Sequence, residues 1–411
     1  MKINRRELLG TAASSAVLLV GTELLGNKTW AEDAILVGGI HDLSGGLDLY
    51  GKPMADALIL AAEEINAAGG LLGKKIKLIT YDPASNMQQY AEIAKKLALG
   101  DKVAVVQGGM TSSSREVIRP ILHAAHVLYF YNTQYEGGVC DRNTFCTGAT
   151  PAQNLAHGVP AVIKKFGKKI YIVAADYNYG QITSSWVKKF ASENGGEIVA
   201  TEFFPLNVSE FGPAIQKIQA AAPDMVFSAL VGGAHVSFYR QWAAAGMNKK
   251  IPIASSTFSH GQEEVVLSAQ ESDGIVTLAS YFESIDTPVN KAFVASFHKR
   301  FGADYPAITE FAANTYHGMY LWAAGVKKAG TTDRMKVIEA LETGISYDAP
   351  SGRVTIDPQT HHLTMTGRLA VTKNKGFDIL DTWPNIPPLD TQAVCNLIKN
   401  PNDTQQYVIK F

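Results

Sequence analysis

The chain has 411 residues, with 37 Lys and Arg against 38 Asp and Glu, so its formal charge is close to zero. This balance excludes the basic surface that nucleic-acid binding requires and gives no reason to expect an acidic partner. The three cysteines, Cys140, Cys146 and Cys395, are too few for a disulfide framework. Cys140 and Cys146 could close one small loop in an oxidising compartment, but unpaired thiols fit their spacing nearly as well.

The N-terminus has the form of a secretory signal peptide. Lys2, Arg5 and Arg6 precede a broken apolar stretch over about 8–25, and residues 29–31 offer small side chains for cleavage near Ala31. A membrane anchor fits less well because the run is short for a span. The arginine pair only approximates a twin-arginine signal, so both export routes stay open. We expect removal of 1–31 and a periplasmic protein that is not inserted in the membrane.

The first half of the mature chain alternates strands and helices. Strands are predicted at 34–40, 75–82, 103–107 and 127–131, and helices at 51–70, 87–99 and 112–125. The pattern restarts with a helix at 152–166 and strands at 170–174, 197–203, 224–230, 251–255 and 274–280. Such alternation predicts an α/β fold with two mostly parallel sheets, each flanked by helices.

The length beyond residue 31 is natural for two lobes rather than one core. The segments 281–288 and 347–358 look like later links between the lobes, so we expect three crossovers. Lobe 1 is predicted to comprise 32–149 and about 283–355. Lobe 2 is predicted to comprise 150–282 and about 356–411.

Polar and glycine-rich segments follow the predicted strands. In open α/β sheets, ligands bind beyond the carboxyl ends of the strands. Six such ends are rich in hydroxyls, amides, Gly and Tyr and poor in charge, and they begin at His41, Gly108, Asn132, Asp176, Val231 and Ser256. Each end alone is explained by ordinary turn chemistry. Six of them on two facing sheets predict a binding cleft.

Catalytic and metal signatures are weak. There is no G-x-S-x-G motif, and the stretch "GGLLGKK" at 69–75 departs from a phosphate loop and follows a helix. The pairs His123 with His126 and His361 with His362 have no Cys or acidic residues at ligand spacing, so solvated or core histidines explain them better. We therefore expect neither an enzyme nor a resident metal or cofactor.

The residues resemble a known family. The two-lobed design, the segment "GGLLGKKIKLITYDPAS" and the strand-end loops are similar to the branched-chain amino-acid type of periplasmic solute-binding protein, which serves an ABC importer. The stretches "SSSREVIRP", "YNTQYEGGVC", "TGATPAQN", "ADYNYG" and "YDAPSGRVTIDPQTHH" resemble the urea and short-chain amide receptors within it. The resemblance covers nearly all of the mature chain and implies a type I periplasmic-binding-protein fold.

This resemblance also implies a ligand set. In the subgroup, the ligand amide is held by a Ser at a helix start, by a Tyr and a Thr at the next strand end, and by two tyrosines of the other lobe. The matching residues here are Ser112, Tyr131, Thr133, Tyr177 and Tyr179. Two further strand-end residues, Val231 and Thr257, complete the predicted site.

The ligand is predicted to be neutral and small. Amino-acid receptors of the family place an acid after the strand that corresponds to 251–255, and Thr257 stands there instead. An ammonium group without a carboxylate partner would be buried at a cost of several kcal/mol. Met110 replaces an aromatic residue of the amide sensor, which leaves ligand size open.

The leading hypothesis is a receptor that delivers urea or a short-chain amide to the membrane permease of an ABC importer. A receptor for an amino acid or another small polar metabolite stays open. An exported amide hydrolase would need a base beside Ser112, and the sequence offers no His or Cys next to it. The signal peptide argues against a cytoplasmic ligand-sensing regulator.

Overall fold

The computed structural model describes residues 34–409. The predicted signal peptide lies outside the described residues. Among the described residues, no helix combines the length and apolar character needed to cross a membrane.

The strands follow the chain in this order: β1 Ile35–Ile40, β2 Ile76–Tyr81, β3 Val105–Gly108, β4 Leu128–Tyr131, β5 Val139–Asp141, β6 Thr144–Cys146, β7 Lys169–Ala175, β8 Glu197–Phe204, β9 Met225–Ala229, β10 Ile253–Ser255, β11 Val276–Ala279, β12 Ser346–Ala349, β13 Gly352–Ile356, β14 Leu363–Lys373, β15 Gly376–Ile386 and β16 Thr404–Gln406. The helices are α1 Asp48–Ala67, α2 Met87–Lys95, α3 Ser112–Ala124, α4 Leu155–Phe166, α5 Asn178–Glu193, α6 Gly212–Ala221, α7 Gly233–Ala244, α8 Glu263–Val266, α9 Ala269–Ser272, α10 Pro288–Phe301, α11 Glu310–Ala329, α12 Arg334–Leu341 and α13 Leu389–Gln392. A π-helical turn, Lys96–Gly100, continues α2.

Two sheets organise the chain, as the alternation predicted. The first has the order β2-β1-β3-β4-β6 and is parallel throughout. The second has the order β8-β7-β9-β10-β11-β14-β13-β12, parallel from β8 to β11 and antiparallel beyond, with β15 added on β14. We call the first sheet with α1, α2, α3, α10, α11 and α12 lobe 1, and its core also takes in side chains of β12, β13 and the start of β14. The rest of the second sheet with α4 to α9 is lobe 2.

Each sheet has its own buried core, because its strands carry apolar side chains on both faces. In lobe 1, Val37, Val105 and Phe130 pack against α1 and α11 through Leu58 and Met319. In lobe 2, the strands β7 and β9 pack against α4, α5, α6 and α7, with large side chains that include Phe227, Phe238 and Trp242. The two cores hold the carboxyl ends of the parallel strands at fixed positions.

The long hairpin of β14 and β15 was not predicted. Its strands carry neither the helix spacing nor a bounded apolar run, and they form by pairing with each other and with β11. The pairing of β13 with the start of β14 carries the chain from the lobe 1 side into the lobe 2 sheet.

The C-terminal segment makes two contacts with a distant part of the chain. Cys140 is bonded to Cys395, with a Cα–Cα distance of 5.4 Å, and Cys146 is a free, buried thiol. The sequence left open whether Cys140 and Cys146 form a disulfide, and they do not. In addition, β16 pairs with β5, which follows β4 in the chain. Both contacts join residues more than 250 positions apart, a separation at which local spacing carries no information.

Candidate functional site

A small, partly open cavity lies between the carboxyl ends of the two sheets. The space open to the centre of a water molecule is about 20 Å³, little more than one water needs. Its wall is formed by eleven residues of both lobes, namely Tyr50, Met110, Ser112, Tyr131, Gln134, Tyr177, Tyr179, Val231, Thr257, His260 and Phe311.

Six of the seven predicted site residues line this cavity. They are Ser112, Tyr131, Tyr177, Tyr179, Val231 and Thr257. Thr133 is the exception: its side chain is buried and its hydroxyl donates to the carbonyl of Met110 at 3.0 Å. The end of β1, which begins at His41, does not line the cavity either. The ends of β3, β4, β7, β9 and β10 supply the wall, as the strand-end argument predicted.

Ser112 reaches the cavity because of the way α3 begins. Thr111 caps the helix by accepting from the Ser114 N–H at 3.0 Å, and the Ser114 side chain accepts from the Thr111 N–H. Gly109, at φ +77°, makes the preceding turn, and a Cβ there would stand 2.6 Å from the Tyr129 hydroxyl. The first residue of the helix is thereby held at the cavity wall.

The hydroxyl protons on the lobe 1 side are committed inside the protein. Ser112 Oγ donates to Glu136 Oε2 at 2.5 Å, and Tyr131 Oη donates to the Met110 carbonyl at 3.1 Å. Burial raises the pKa of Tyr131 to about 12, so its hydroxyl keeps its proton at neutral pH. A hydroxyl that has used its single proton can only accept further hydrogen bonds. The oxygens of Ser112 and Tyr131 therefore face the cavity as acceptors.

A fully buried ion pair lies behind this wall. Arg115 Nη2 contacts Glu136 Oε1 at 3.0 Å, and both side chains are 0% exposed. The guanidinium also stacks on Tyr131 and Tyr135, 5.0 and 4.4 Å from the ring centroids. Burial would lower the pKa of Arg115, but the charge of Glu136 raises it overall. Gln406 of the C-terminal segment accepts from Arg115 at 2.8 Å, so that segment supports the wall.

The lobe 2 side carries tyrosines and a second ion pair. Tyr177 precedes α5 and Tyr179 lies in its first turn, with ring centroids 6.0 Å apart. His260 Nε2 lies 2.5 Å from Glu310 Oε2, and both side chains are fully buried. Burial would lower the pKa of His260, but the charge of Glu310 raises it above its ordinary value. Because Glu310 begins α11, this pair joins the two lobes.

Five wall residues were not in the predicted site, and one of them, Met110, was considered only for its bearing on ligand size. Gln134 and His260 each stand a few residues beyond a predicted strand end, so a longer window would have included them. Tyr50 and Phe311 come from α1 and α11. Phe311 follows no predicted strand, and only tertiary packing brings it to the cavity.

The histidine pairs do not form a metal site. His123 Nδ1 lies 2.9 Å from Asp141 Oδ1, His361 contacts Glu342, and His362 contacts Tyr135. Within 34–409, no group of three or more His, Cys, Asp and Glu is placed to hold a metal ion.

The fold and the cleft agree with the comparisons to known proteins. Residues 35–391 match the family described as "Periplasmic binding protein domain". The chain belongs to the periplasmic binding protein family. It is of the type I, branched-chain amino-acid receptor kind, a solute-binding protein that works with an ABC transporter.

Its relatives are solute-binding proteins rather than enzymes. The leucine-, isoleucine-, valine-, threonine- and alanine-binding protein of Pseudomonas aeruginosa is 26% identical over 80% of this chain and 87% of its own length. A Leu/Ile/Val-binding protein homolog of Brucella melitensis is 24% identical over 81% and 86%.

Solved structures share the fold across their full length. An ABC transporter solute-binding protein from R. palustris, in complex with 4-hydroxybenzoate, has a TM-score of 0.77 and 25% identity, over 87% of this chain and 98% of that one. The branched-chain amino acid transporter substrate-binding protein of Streptococcus pneumoniae, in complex with isoleucine, has a TM-score of 0.74 and 22% identity, over 86% and 100%.

Proposed function

We propose that this solute-binding protein captures urea or a short-chain aliphatic amide in the cleft and presents it to the membrane permease of its transporter in the periplasm. The observation that carries the proposal is the hydrogen-bonding state of the lobe 1 wall. The Ser112 and Tyr131 hydroxyls donate their hydrogen bonds to Glu136 and to the Met110 carbonyl, so their oxygens suit a ligand that brings N–H donors.

The charges around the cavity also favour a neutral ligand. Glu136 is paired with Arg115, and Glu310 with His260. A charged ligand would have to be desolvated without a free counter-ion, at a cost of several kcal/mol. Thr257 lines the cavity where the resemblance places an acid in amino-acid receptors, which supports the same conclusion.

The size of the cavity supports a small ligand. With about 20 Å³ open to water centres, a molecule of four heavy atoms needs only a slight opening of the cleft, whereas leucine or a benzoate needs a larger separation of the lobes. A ligand of about four heavy atoms, at roughly 1.5 kcal/mol each, gains about 6 kcal/mol, which corresponds to tens of micromolar.

Calorimetric titration of urea, formamide, acetamide, isoleucine, glutamate and 4-hydroxybenzoate in one buffer tests the proposal. We expect the neutral amides or urea to bind most tightly. Tighter binding of an amino acid or of the benzoate than of every neutral amide would reject it and favour the ligand classes of the relatives. Steady ammonia release from a bound amide would instead indicate a hydrolase.

A further inference from the structure

Gln134 crosses the cleft although it belongs to lobe 1. It lies three residues beyond the end of β4 and is 6% exposed. Its Nε2 donates to the Tyr179 hydroxyl at 2.9 Å and to the backbone carbonyl of Ser256, and its Oε1 accepts from Asn154 Nδ2 at 2.8 Å. Gln134 also lines the cavity.

Two backbone groups fix the direction of this chain of hydrogen bonds. The Asn154 Oδ1 accepts from the Leu155 N–H at 2.6 Å, so the Asn154 amide must turn its nitrogen toward Gln134. The carbonyl of Ser256 can only accept, so Gln134 must turn its nitrogen toward Ser256 and Tyr179. If either amide were flipped, a buried N–H donor would face another donor, or a buried carbonyl oxygen would face another acceptor.

The direction has a consequence for Tyr179. Because Gln134 donates to the Tyr179 oxygen, the Tyr179 proton must point elsewhere. The Ser256 hydroxyl lies 3.2 Å away, and either oxygen of this pair can be the donor, so the Tyr179 proton can turn from Ser256 to a ligand oxygen while Gln134 occupies the acceptor side of the hydroxyl. Burial raises the pKa of Tyr179, so this proton is retained. The hydroxyl is left as a donor at the cavity wall.

We propose that Gln134 is a positioning residue that sets Tyr179 as a hydrogen-bond donor and thereby selects ligands that carry a carbonyl oxygen. The inference rests on the proposed function and assigns different hydrogen-bonding roles to the two walls of the cavity. The lobe 1 wall accepts from the ligand N–H groups, and Tyr179 donates to the ligand oxygen. A ligand with donors alone, such as an amidinium ion, should be rejected by Tyr179.

Acetamide and acetamidinium test this selection because they have nearly the same shape and differ in one group, C=O against C=NH₂⁺. In Gln134→Glu, the carboxylate can only accept, so Tyr179 should turn its proton toward residue 134 and offer its oxygen to the ligand. We expect acetamide affinity to fall at least 30-fold and acetamidinium affinity to rise or hold, so the selectivity ratio falls at least 30-fold in calorimetry. Because the new carboxylate also attracts the acetamidinium charge, the change in selectivity supports the inference only if the neutral variant Gln134→Met shows a change of the same sign; equal losses of both affinities in Gln134→Met would overturn the inference.

Two further variants complete the experiment. Gln134→Met keeps the size without donor or acceptor and serves if the buried Glu does not fold. It should lower acetamide affinity at least 10-fold and acetamidinium affinity less than 3-fold, and equal losses would overturn the inference.

Gln153→Glu is the matched control. Gln153 is equally buried but bonds to Leu363 and Ile386 away from the cavity wall, so the ratio should not change. If the wild type binds neither urea nor any neutral amide, the proposed function itself fails, which only the wild-type titrations can reveal.

Discussion

The two walls of the cavity are held in different ways. On the lobe 1 wall, Ser112 and Tyr131 are oriented by groups of the same lobe, namely Glu136 and the Met110 carbonyl. On the lobe 2 wall, Tyr179 is oriented by Gln134, which comes from the opposite lobe. The first wall can therefore be complete in an open protein, whereas the second is completed only when the lobes close. Closure of the lobes therefore also orients the Tyr179 hydroxyl toward the ligand oxygen.

The largest expected effect concerns the buried ion pair of the lobe 1 wall. Glu136→Leu should lower the free energy of unfolding by about 3–5 kcal/mol, because the buried Arg115 guanidinium loses its fully buried counter-ion and keeps only the partly exposed Glu116 and the amide of Gln406. Guanidinium chloride denaturation measures the loss; urea is avoided as a candidate ligand. The matched control is Glu63→Leu, which breaks the half-exposed pair of Glu63 and Arg300 and should cost less than about 1 kcal/mol. Equal losses would mean that the two pairs do not differ as their burial implies.

An intermediate effect separates two residues that the sequence treated alike. Tyr131→Phe should weaken ligand binding by about 1–3 kcal/mol, because the ligand loses an acceptor and the Met110 carbonyl loses a donor. Thr133→Ala should weaken binding by less than about 1 kcal/mol, since Thr133 does not line the cavity and Tyr131 still serves that carbonyl. Titration of both variants with the best wild-type ligand ranks them. The reverse order would place Thr133, not Tyr131, against the ligand.

The smallest expected effect is the change with pH in the stability that the pair of His260 and Glu310 contributes between the lobes. The pKa of His260 is raised from 6.5, so its contribution to stability is full below 6.5 and is lost as pH rises through its folded-state pKa. The pKa of Glu310 is lowered from 4.5, because the charge of His260 outweighs burial, which alone would raise it. Its contribution is full above 4.5 and is lost as pH falls through its folded-state pKa.

The pair should thus stabilise most between about pH 4.5 and 6.5. The melting temperature of the wild type, minus that of the double variant His260→Gln with Glu310→Gln, should be largest in this interval and shrink at higher pH. The double variant keeps hydrogen-bonding groups of similar size without charge. A difference that is constant with pH would show that the pair is not ionised in the fold.

The sequence by itself determined the alternation of strands and helices, the two sheets and most of the cavity wall. These follow from local signals: apolar runs with defined ends, and polar residues where parallel strands end. Six of the predicted residues meet at one cavity because parallel strands bring their carboxyl ends to one edge.

Only the tertiary structure decided the contacts between distant parts of the chain. Cys140 finds Cys395 rather than Cys146, Phe311 enters the wall from α11, and the C-terminal segment reaches Arg115 through Gln406. The direction of the hydrogen bond from Gln134 to Tyr179 is also of this kind, since it is fixed by backbone groups at Leu155 and Ser256. No local pattern encodes such partners, because each is selected by burial and by the need to satisfy buried polar groups once the lobes have packed.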